Sequence, residues 1–237
     1  MLTYNRAHFL REAINSVLTQ SYQNLELIII DDGSTDETYT VIAEFSDPRI
    51  RYIQHTDNQG LTVRRKESLL LVQGAYTAVL DSDDIWTDSE KIEAQVHYME
   101  EHPHCAVIGT FITLIDEQSK KIGRNRYKTT DANIRSRILL RNQFAHSSVL
   151  MRTSLVRKTS GYQDFPIGED LDLFLQLGTV GTFANLPLET TAYRIHTNKA
   201  SGQLSTVARA VLAIIKKHKD AYPNYLLARI KYSIASL

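Results

Sequence analysis

Cysteine is almost missing from this chain, with one residue, Cys105, in 237. A single thiol can form neither an intramolecular disulfide nor a cysteine-rich zinc site. Stability must therefore come from a packed core, and the composition fits a reducing compartment. No excess of charge of either sign exists: Lys and Arg number 27, Asp and Glu 27. That balance excludes affinity from a broad basic surface, so no nucleic-acid partner is expected. A long apolar run is absent as well. The longest charge-free stretch, residues 173–188, contains Gly178, Gly181 and Pro187 and is too short to span a bilayer. The opening residues, Met1-Leu2-Thr3-Tyr4-Asn5-Arg6, hold no signal-peptide apolar segment, and no Asn-x-Ser/Thr sequon occurs. Internal repeats and low-complexity segments are also lacking. The expectation is a soluble, cytoplasmic chain whose 43% hydrophobic content fills one large domain, or one domain with an appendage.

What is present is an alternation of strand and helix signals. Leu10, Ala13, Ile14, Val17 and Leu18 recur at helical spacing, predicting a helix over about residues 7–20. Residues 25–30 form a nearly continuous apolar run, as in a strand buried on both faces, and the run stops at Asp31-Asp32-Gly33-Ser34. Further strands are predicted at 50–54 and 76–80, with a helix over 61–72 between them. Ser34 with Glu37, and Thr87 with Glu90, have capping-box spacing ahead of two more helices. The alternation argues for a mostly parallel sheet covered by helices on both sides. Its first strand is short, because the first helix begins by residue 7. Beyond Cys105 the reading is a strand at 106–115, a polar, basic loop at 116–130 and a helix near 131–141. A strand near 148–152, a helix from about 169, and strands at 181–186 and 190–195 follow. From Leu204 the chain reads as helical, broken at Pro223, with Val207, Val211, Leu212 and Ile215 as an apolar stripe.

The residues able to carry chemistry cluster where strands end. In open parallel sheets ligands sit beyond the carboxyl ends of strands. Two such ends are acidic here, Asp31-Asp32 and Asp81-Ser82-Asp83-Asp84. Oxygen ligands at Asp81 and Asp83 suit Mg²⁺ or Mn²⁺ shared with substrate phosphates; the plainer reading is helix caps and turns. Arg64-Arg65-Lys66 opens a helix, against its dipole, and calls for a compensating anion such as a diphosphate; the plainer reading is a solvated face. Gly168-Glu169-Asp170-Leu171-Asp172 opens another helix, and a carboxylate there aimed into a cleft is a candidate general base. Set against that is a first turn whose acids merely suit the dipole. His196, at the end of the last predicted strand, could complete a metal shell, and His146 is the other histidine of interest. Trp86 reads first as a core anchor.

Taken together and in order, Thr3-Tyr4-Asn5-Arg6, Ile30-Asp31-Asp32-Gly33-Ser34-Thr35-Asp36, Asn58-Gln59-Gly60, Leu80-Asp81-Ser82-Asp83-Asp84, His146-Ser147-Ser148-Val149 and Gly168-Glu169-Asp170 resemble the family 2 inverting glycosyltransferases. The resemblance implies the GT-A fold, a Rossmann-like α/β/α sandwich. It implies a transferase domain over 1–203, with a nucleotide-binding half to about 105 and an acceptor-binding half after it, and a helical extension over 204–237. Leu2, Thr3, Tyr4, Asp32, Arg64 or Arg65, Asp81 and Ser82 would bind a nucleotide-diphospho-sugar carrying UDP or dTDP. Asp83, Asp81 and His196 would hold Mg²⁺ or Mn²⁺. Asp170 would be the general base, with His146 and Glu169 on the acceptor side. The acceptor would be a glycan or a lipid-linked glycan, as in polysaccharide biosynthesis. Peripheral contact of the C-terminal helices with the inner face of the membrane, or homo-oligomerisation through them, is consistent with the apolar stripe and Lys216, Lys217 and Lys219 at its end. The chain departs from the family where Arg64-Arg65-Lys66-Glu67-Ser68 replaces the usual Ala-Arg-Asn-x-Gly, and in its short first strand. Those departures motivate a second reading, a catalytically silent sugar-nucleotide-binding or assembly module. A haloacid-dehalogenase-type phosphohydrolase is disfavoured, since Asp84-Ile85-Trp86 follows Asp83 and the acidic motif lies after several strand-helix units.

Overall fold

The apolar run after Tyr22 becomes a strand for the reason its composition gives: Leu27, Ile29 and Ile30 are buried. Each fully buried Leu or Ile contributes about 1.5–3 kcal/mol relative to exposure. The computed structural model describes residues 1–165, 167–196 and 204–236. In chain order the first half comprises β1 (Leu2–Thr3), α1 (Ala7–Leu18), β2 (Leu27–Asp31), α2 (Thr38–Ala43), β3 (Ile50–Gln54), α3 (Leu61–Leu71), β4 (Tyr76–Ala78), β5 (Ile85–Trp86) and α4 (Lys91–Glu101). The second half comprises β6 (Cys105–Ile115), β7 (Lys121–Asn125), α5 (Asp131–Ile138), a single 3-10 turn His146–Ser148, β8 (Leu150–Arg152), α6 (Thr153–Val156), α7 (Glu169–Val180), β9 (Thr182–Arg194), α8 (Leu204–Lys217) and α9 (Tyr225–Ala235).

The expected α/β sandwich is present, with its parallel pairing in two places. β1, β2 and β3 form a parallel sheet. A second, mixed sheet runs β4-β8-β6-β9-β5, with β7 on β6, and only its β6–β9 pair is parallel. The short first strand is confirmed: β1 pairs only Leu2 with Ile30 and Thr3 with Asp31. Beside it, between β2 and β4, lies a cavity of about 450 Å³ whose walls include Leu2, Leu27, Ile28, Ala78 and Leu80.

Two cores meet across β6. Leu10, Ile14, Ile29, Trp86, Met99 and Ile108 pack in the first. Val107, Ile134, Phe144, Phe174, Leu177, Phe183 and Ile214 pack in the second. Trp86 is a core anchor, and its indole Nε1 donates to the Ser147 carbonyl at 2.8 Å. The apolar stripe of α8 belongs to the second core, with Val211 and Ile215 buried and Val207 and Leu212 packed against them. Pro223 separates α8 from α9 as expected. The proposed boundary at residue 203 and the terminal Leu237 lie outside the described residues. Among those residues no helix is long and apolar enough to cross a membrane.

Several local expectations differ from the structure. The polar loop at 116–130 contains β7, and the two strands predicted at 181–186 and 190–195 are one, β9, which passes Pro187 with shifts in its pairing to β6. Neither capping box forms. Ser34 Oγ turns back to the Asp31 carboxylate at 2.5 Å, and Thr87 donates its amide to the Thr190 carbonyl, extending the β5–β9 pairing. The N-cap residues of α2 and α4, Glu37 and Glu90, make no side-chain capping hydrogen bond; Asp36 Oδ1 accepts from the Thr38 amide and Gln20 Oε1 from the Ile92 amide instead.

Candidate active site

β2 ends in two carboxylates with separate tasks. Asp31 closes its own turn, accepting from the Ser34 amide and hydroxyl and from Tyr52 Oη at 2.7 Å. Asp32 faces the 57–60 loop and accepts from the Gln59 amide (3.0 Å), the Gly60 amide (2.8 Å) and Arg64 Nε (2.6 Å). Gly33 makes this approach feasible. Its φ is +77°, and a Cβ there would sit 2.9 Å from the Asp57 carbonyl carbon. Burial pushes the Asp32 carboxyl up, but those amides and Arg64 outweigh it and hold it below the usual carboxylate range. A carboxylate offers about four acceptor positions, so one remains for a ligand N–H.

Leu2 and Thr3 lie against this turn, and the Thr3 carbonyl accepts from the Asp32 amide at 3.0 Å. Thr3 Oγ1 is buried without a hydrogen-bond partner among the described residues. Tyr4 is exposed. Asn5, at φ +51°, accepts from the Thr35 amide at 2.8 Å and ties the end of β1 to the loop after Ser34.

The adjacent arginines at the start of α3 point to different partners. Arg64 is consumed by Asp32, by Glu67 (3.1 Å) and by the Asp57 carbonyl (3.1 Å). Arg65, whose side chain is only 5% exposed, reaches Asp81 Oδ1 at 3.0 Å and Glu169 Oε1 at 3.6 Å. Its buried Nε makes no hydrogen bond among the described residues. These acids supply the compensation that cations at a helix start require. Arg65 thereby joins the end of β4 to the start of α7.

The acidic tetrad divides the same way. Burial would raise the Asp81 carboxyl, but Arg65 overcomes it and holds the group below the usual range. Ser82 is buried. Asp83 Oδ2 lies 2.7 Å from His196 Nε2 and 3.9 Å from Arg6 Nε. Asp84 faces inward, accepting from Ser147 Oγ at 2.5 Å and from the Arg194 amide at 2.8 Å. Burial, together with Asp81 and Asp83, pushes its carboxyl well above the usual range. Ser147 Oγ in turn accepts from the Asp81 amide. Arg194 braces the turn, donating to the Asp83 carbonyl (2.8 Å) and pairing with Glu12 (3.1 Å). His196 follows directly on β9, with its Nδ1 3.7 Å from Glu117.

α7 opens at Gly168, which has φ +84° and whose added Cβ would meet Ile214 Cδ1 at 3.0 Å. Substitution there would disturb both the turn and α8, so this glycine fixes where Asp170 begins the helix. Burial raises the Asp170 carboxyl against the opposing pulls of the Leu171 amide, Arg65 and Asn142, whose Nδ2 donates to Oδ2 at 3.2 Å. Glu169 is raised by burial and by Asp170. His146 is buried behind this group, with its Nε2 2.8 Å from Tyr162 Oη. Burial first, then Arg65, pull its pKa down to about 3, so it is a neutral imidazole. The cation of Arg65 lies 5.7 Å from the Tyr162 ring centroid.

The predicted residues thus form two connected groups: Asp32 with Arg64, and Arg65 with Asp81, Glu169, Asp170 and His146. Asp83 and His196 form a pair at the edge of the second. Among the described residues no three His, Cys, Asp or Glu side chains gather as a metal centre. Sequence reasoning missed Tyr162, Asn142, Ser147 and Arg194, which the tertiary fold brings in. Ser147 lay inside a motif already noted, and Arg194 within the strand predicted at 190–195.

The model for Glycosyl transferase family 2 matches residues 1–160. The chain belongs to that family. This family 2 glycosyltransferase is 31% identical over 231 residues to an uncharacterized glycosyltransferase of Haemophilus influenzae, covering 92% of this chain and 71% of that one. It is also 31% identical over 199 residues to the UDP-Glc:alpha-D-GlcNAc-diphosphoundecaprenol beta-1,3-glucosyltransferase WfaP of Escherichia coli, covering 84% and 76%. The fold is that of S. aureus TarS 1-349 in complex with UDP-GlcNAc (TM-score 0.74, 18% identity, 99% of this chain and 70% of that one). It is shared with the mannosyltransferase PcManGT from Pyrobaculum calidifontis, solved with GDP-Man and Mn²⁺ (TM-score 0.70, 14% identity, 99% and 72%). Membership makes this chain an enzyme that moves a sugar from a nucleotide-sugar donor.

Proposed function

We propose that this enzyme is a metal-dependent inverting transferase that passes a hexose from a UDP- or dTDP-sugar to a hydroxyl of a lipid-linked or free glycan, with Asp170 as general base. The observation that carries the reading is Arg65, which bridges the acidic end of β4 at Asp81 and the start of α7 at Glu169. Its unbonded Nε is suited to a phosphate oxygen, and Arg is the side chain best matched to a diphosphate. Asp32, with one acceptor position left, suits the N–H of a pyrimidine base. The name of the E. coli relative, with UDP-Glc as donor and a diphosphoundecaprenol-linked acceptor, supports both substrate classes.

Asp83 and His196, 2.7 Å apart, would hold a hard divalent cation in the company of substrate oxygens. Asp81 has one oxygen engaged by Arg65 and the other available. Such a cation would neutralise charge on the leaving diphosphate. The chain's own groups do the rest. Arg65 orients the diphosphate, and Asn142 orients the Asp170 carboxylate. Asp170 accepts the proton of the acceptor hydroxyl as that oxygen bonds to C1 of the sugar. The C1–O bond to the diphosphate breaks, and its electron pair leaves with the nucleoside diphosphate. A carboxyl raised by burial is a better base than an ordinary Asp, so the acid limb of kcat/KM should lie above pH ~3.9.

UDP binding with and without Mn²⁺, in the wild type and in Asp83→Ala, tests the cation. Mn²⁺ should tighten binding only in the wild type, and equal affinity in all four conditions removes the metal from the reading. Asp170→Asn should keep UDP affinity while turnover falls by about 10²–10⁴. Unchanged turnover would mean that another carboxylate is the base.

A further inference from the structure

Five cations line one pocket of about 460 Å³: Arg126, Lys128, Arg137, Arg141 and Lys231. They come from the segment after β7, from α5, from the turn before His146 and from α9. No acidic side chain is among the lining residues, although Arg126 also reaches Glu189 at 3.4 Å. Convergence of like charges from four separate segments costs free energy unless an anion offsets it. The core does not need them, since all five are exposed.

Two further observations place this pocket in the reaction. Arg141 and Gln143, both in its lining, flank Asn142, the residue that donates to Asp170. Tyr127, also in the lining, has its hydroxyl pushed up to about 12, first by burial, with Arg141 opposing and Asp170 adding a little. The other side of the pocket is α9, docked by Lys231 Nζ (2.6 Å) and Tyr232 Oη (3.0 Å) on the Leu140 carbonyl. Leu227 and Ile234 stand four residues before and three after Lys231, neighbours on one helix face. With Leu226 and Ile230 they are 58–67% exposed. A basic pocket therefore opens onto an apolar strip. Polar head and apolar tail is the pattern of a lipid phosphate.

We propose that the pocket binds the phosphate or diphosphate of a lipid-linked acceptor, with the lipid chain lying along the exposed face of α9. The inference rests on the assignment of Asp170 as base. The donor diphosphate is already accounted for by Arg65, so this is a second phosphate site on the acceptor side.

The test uses protein saturated with UDP, so that the donor site is filled, titrated calorimetrically with citronellyl diphosphate and with citronellol. The diphosphate should bind and the alcohol should not. A combined Lys128→Gln, Arg137→Gln, Arg141→Gln variant, which keeps the Lys231 contact that docks α9, should weaken the diphosphate at least tenfold and leave UDP affinity and Tm unchanged, because all three side chains are exposed. In transfer assays the same variant should raise KM for a diphosphate-linked acceptor and not for the donor. Equal binding by variant and wild type overturns the proposal. A third arm uses phosphatidylglycerol vesicles. If the variant loses vesicle binding yet keeps citronellyl diphosphate, the cations serve membrane headgroups and the acceptor assignment is wrong. Failure of Asp170→Asn to affect turnover would instead strike the base, and calorimetry reports on the pocket independently of it.

Discussion

The proposed donor cleft and the proposed acceptor-side pocket are both rich in cations, and they treat them in opposite ways. In the cleft every arginine has a carboxylate: Arg64 has Asp32 and Glu67, and Arg65 has Asp81 and Glu169. In the pocket five cations share a lining without an acid. A fully paired, buried site is rigid before ligand arrives, and its ligand must share or displace internal partners. An exposed site with few ion pairs, here Arg126 with Glu189, is ready for an anion but weakly held and sensitive to salt. The neutral net charge of the chain conceals both, because the acids concentrated in the cleft cancel the cations around the pocket.

The sharpest way to break this comparison is to remove one arginine at a time from the cleft. Arg65→Gln should weaken UDP far more than uridine, since its proposed role is with phosphate. Loss of a charged hydrogen bond of about 1.5–3 kcal/mol predicts a ten- to hundredfold effect. Arg64→Gln should weaken uridine and UDP equally, because it acts through the orientation of Asp32. Competition binding with the two ligands checks this. Equal losses in both variants would mean that the adjacent arginines do not divide the labour.

A smaller effect is expected at Asp172, two residues after the proposed base. Its buried carboxylate accepts from Lys217 Nζ (2.9 and 3.0 Å) and Gln176 Nε2 (2.7 Å) and lies 2.8 Å from His218 Nε2, tying α7 to α8. Burial pushes this carboxyl up, but His218 and Lys217 prevail and hold it below its ordinary value. A depressed folded pKa stabilises above the unfolded value, ~3.9, and that contribution is lost as pH falls through the folded value. Asp172→Asn should therefore cost about 1–3 kcal/mol near neutrality, discounted because Lys217 is half-exposed and can re-solvate. The difference in Tm from wild type should shrink below pH 4. It should also lower kcat more than the donor KM, because it loosens the helix that positions Asp170. A constant Tm difference down to pH 3 would show that the ion pairs are not its source.

Much of this was legible in the chain, and the parts that were not have physical causes. The buried run of β2, the acidic strand ends and the α7 start are written in local composition. That Arg64 and Arg65 need anions followed from cations at a helix N-terminus. β7 was missed because Lys121, Ile122 and Arg124 are all exposed, so the strand carries no alternation of apolar and polar residues. β9 was split because Pro187 reads as a break, yet it sits where the pairing with β6 slips, at the jump from Leu186 to Glu189. The first capping box failed because Ser34 had a nearer carboxylate in Asp31, and the second because Thr87 continues the β5–β9 pairing. Tyr162 and Asn142 reach the site through folding alone. Nothing in their neighbourhoods announces them, and the basic pocket, drawn from four separated segments, is equally invisible to a reading along the chain.

The smallest stability effect separates the two C-terminal helices. Both have apolar faces, but Ile214 of α8 is fully buried while Ile230 of α9 is 58% exposed. Ile214→Ala should cost about 2–5 kcal/mol through lost burial and a cavity. Ile230→Gln should stay within about ±0.5 kcal/mol, as surface changes do. Its consequence should appear only when a lipid-bearing ligand is present. Citronellyl diphosphate should then bind less tightly, while inorganic diphosphate is unaffected. That pattern would mark the α9 face as the lipid half of the acceptor site. If Ile230→Gln instead lowered Tm by several degrees and converted a dimer to a monomer in light scattering, the exposed face would be a subunit interface. The five cations would then border a contact between copies, and the contrast with the donor cleft would need a different explanation.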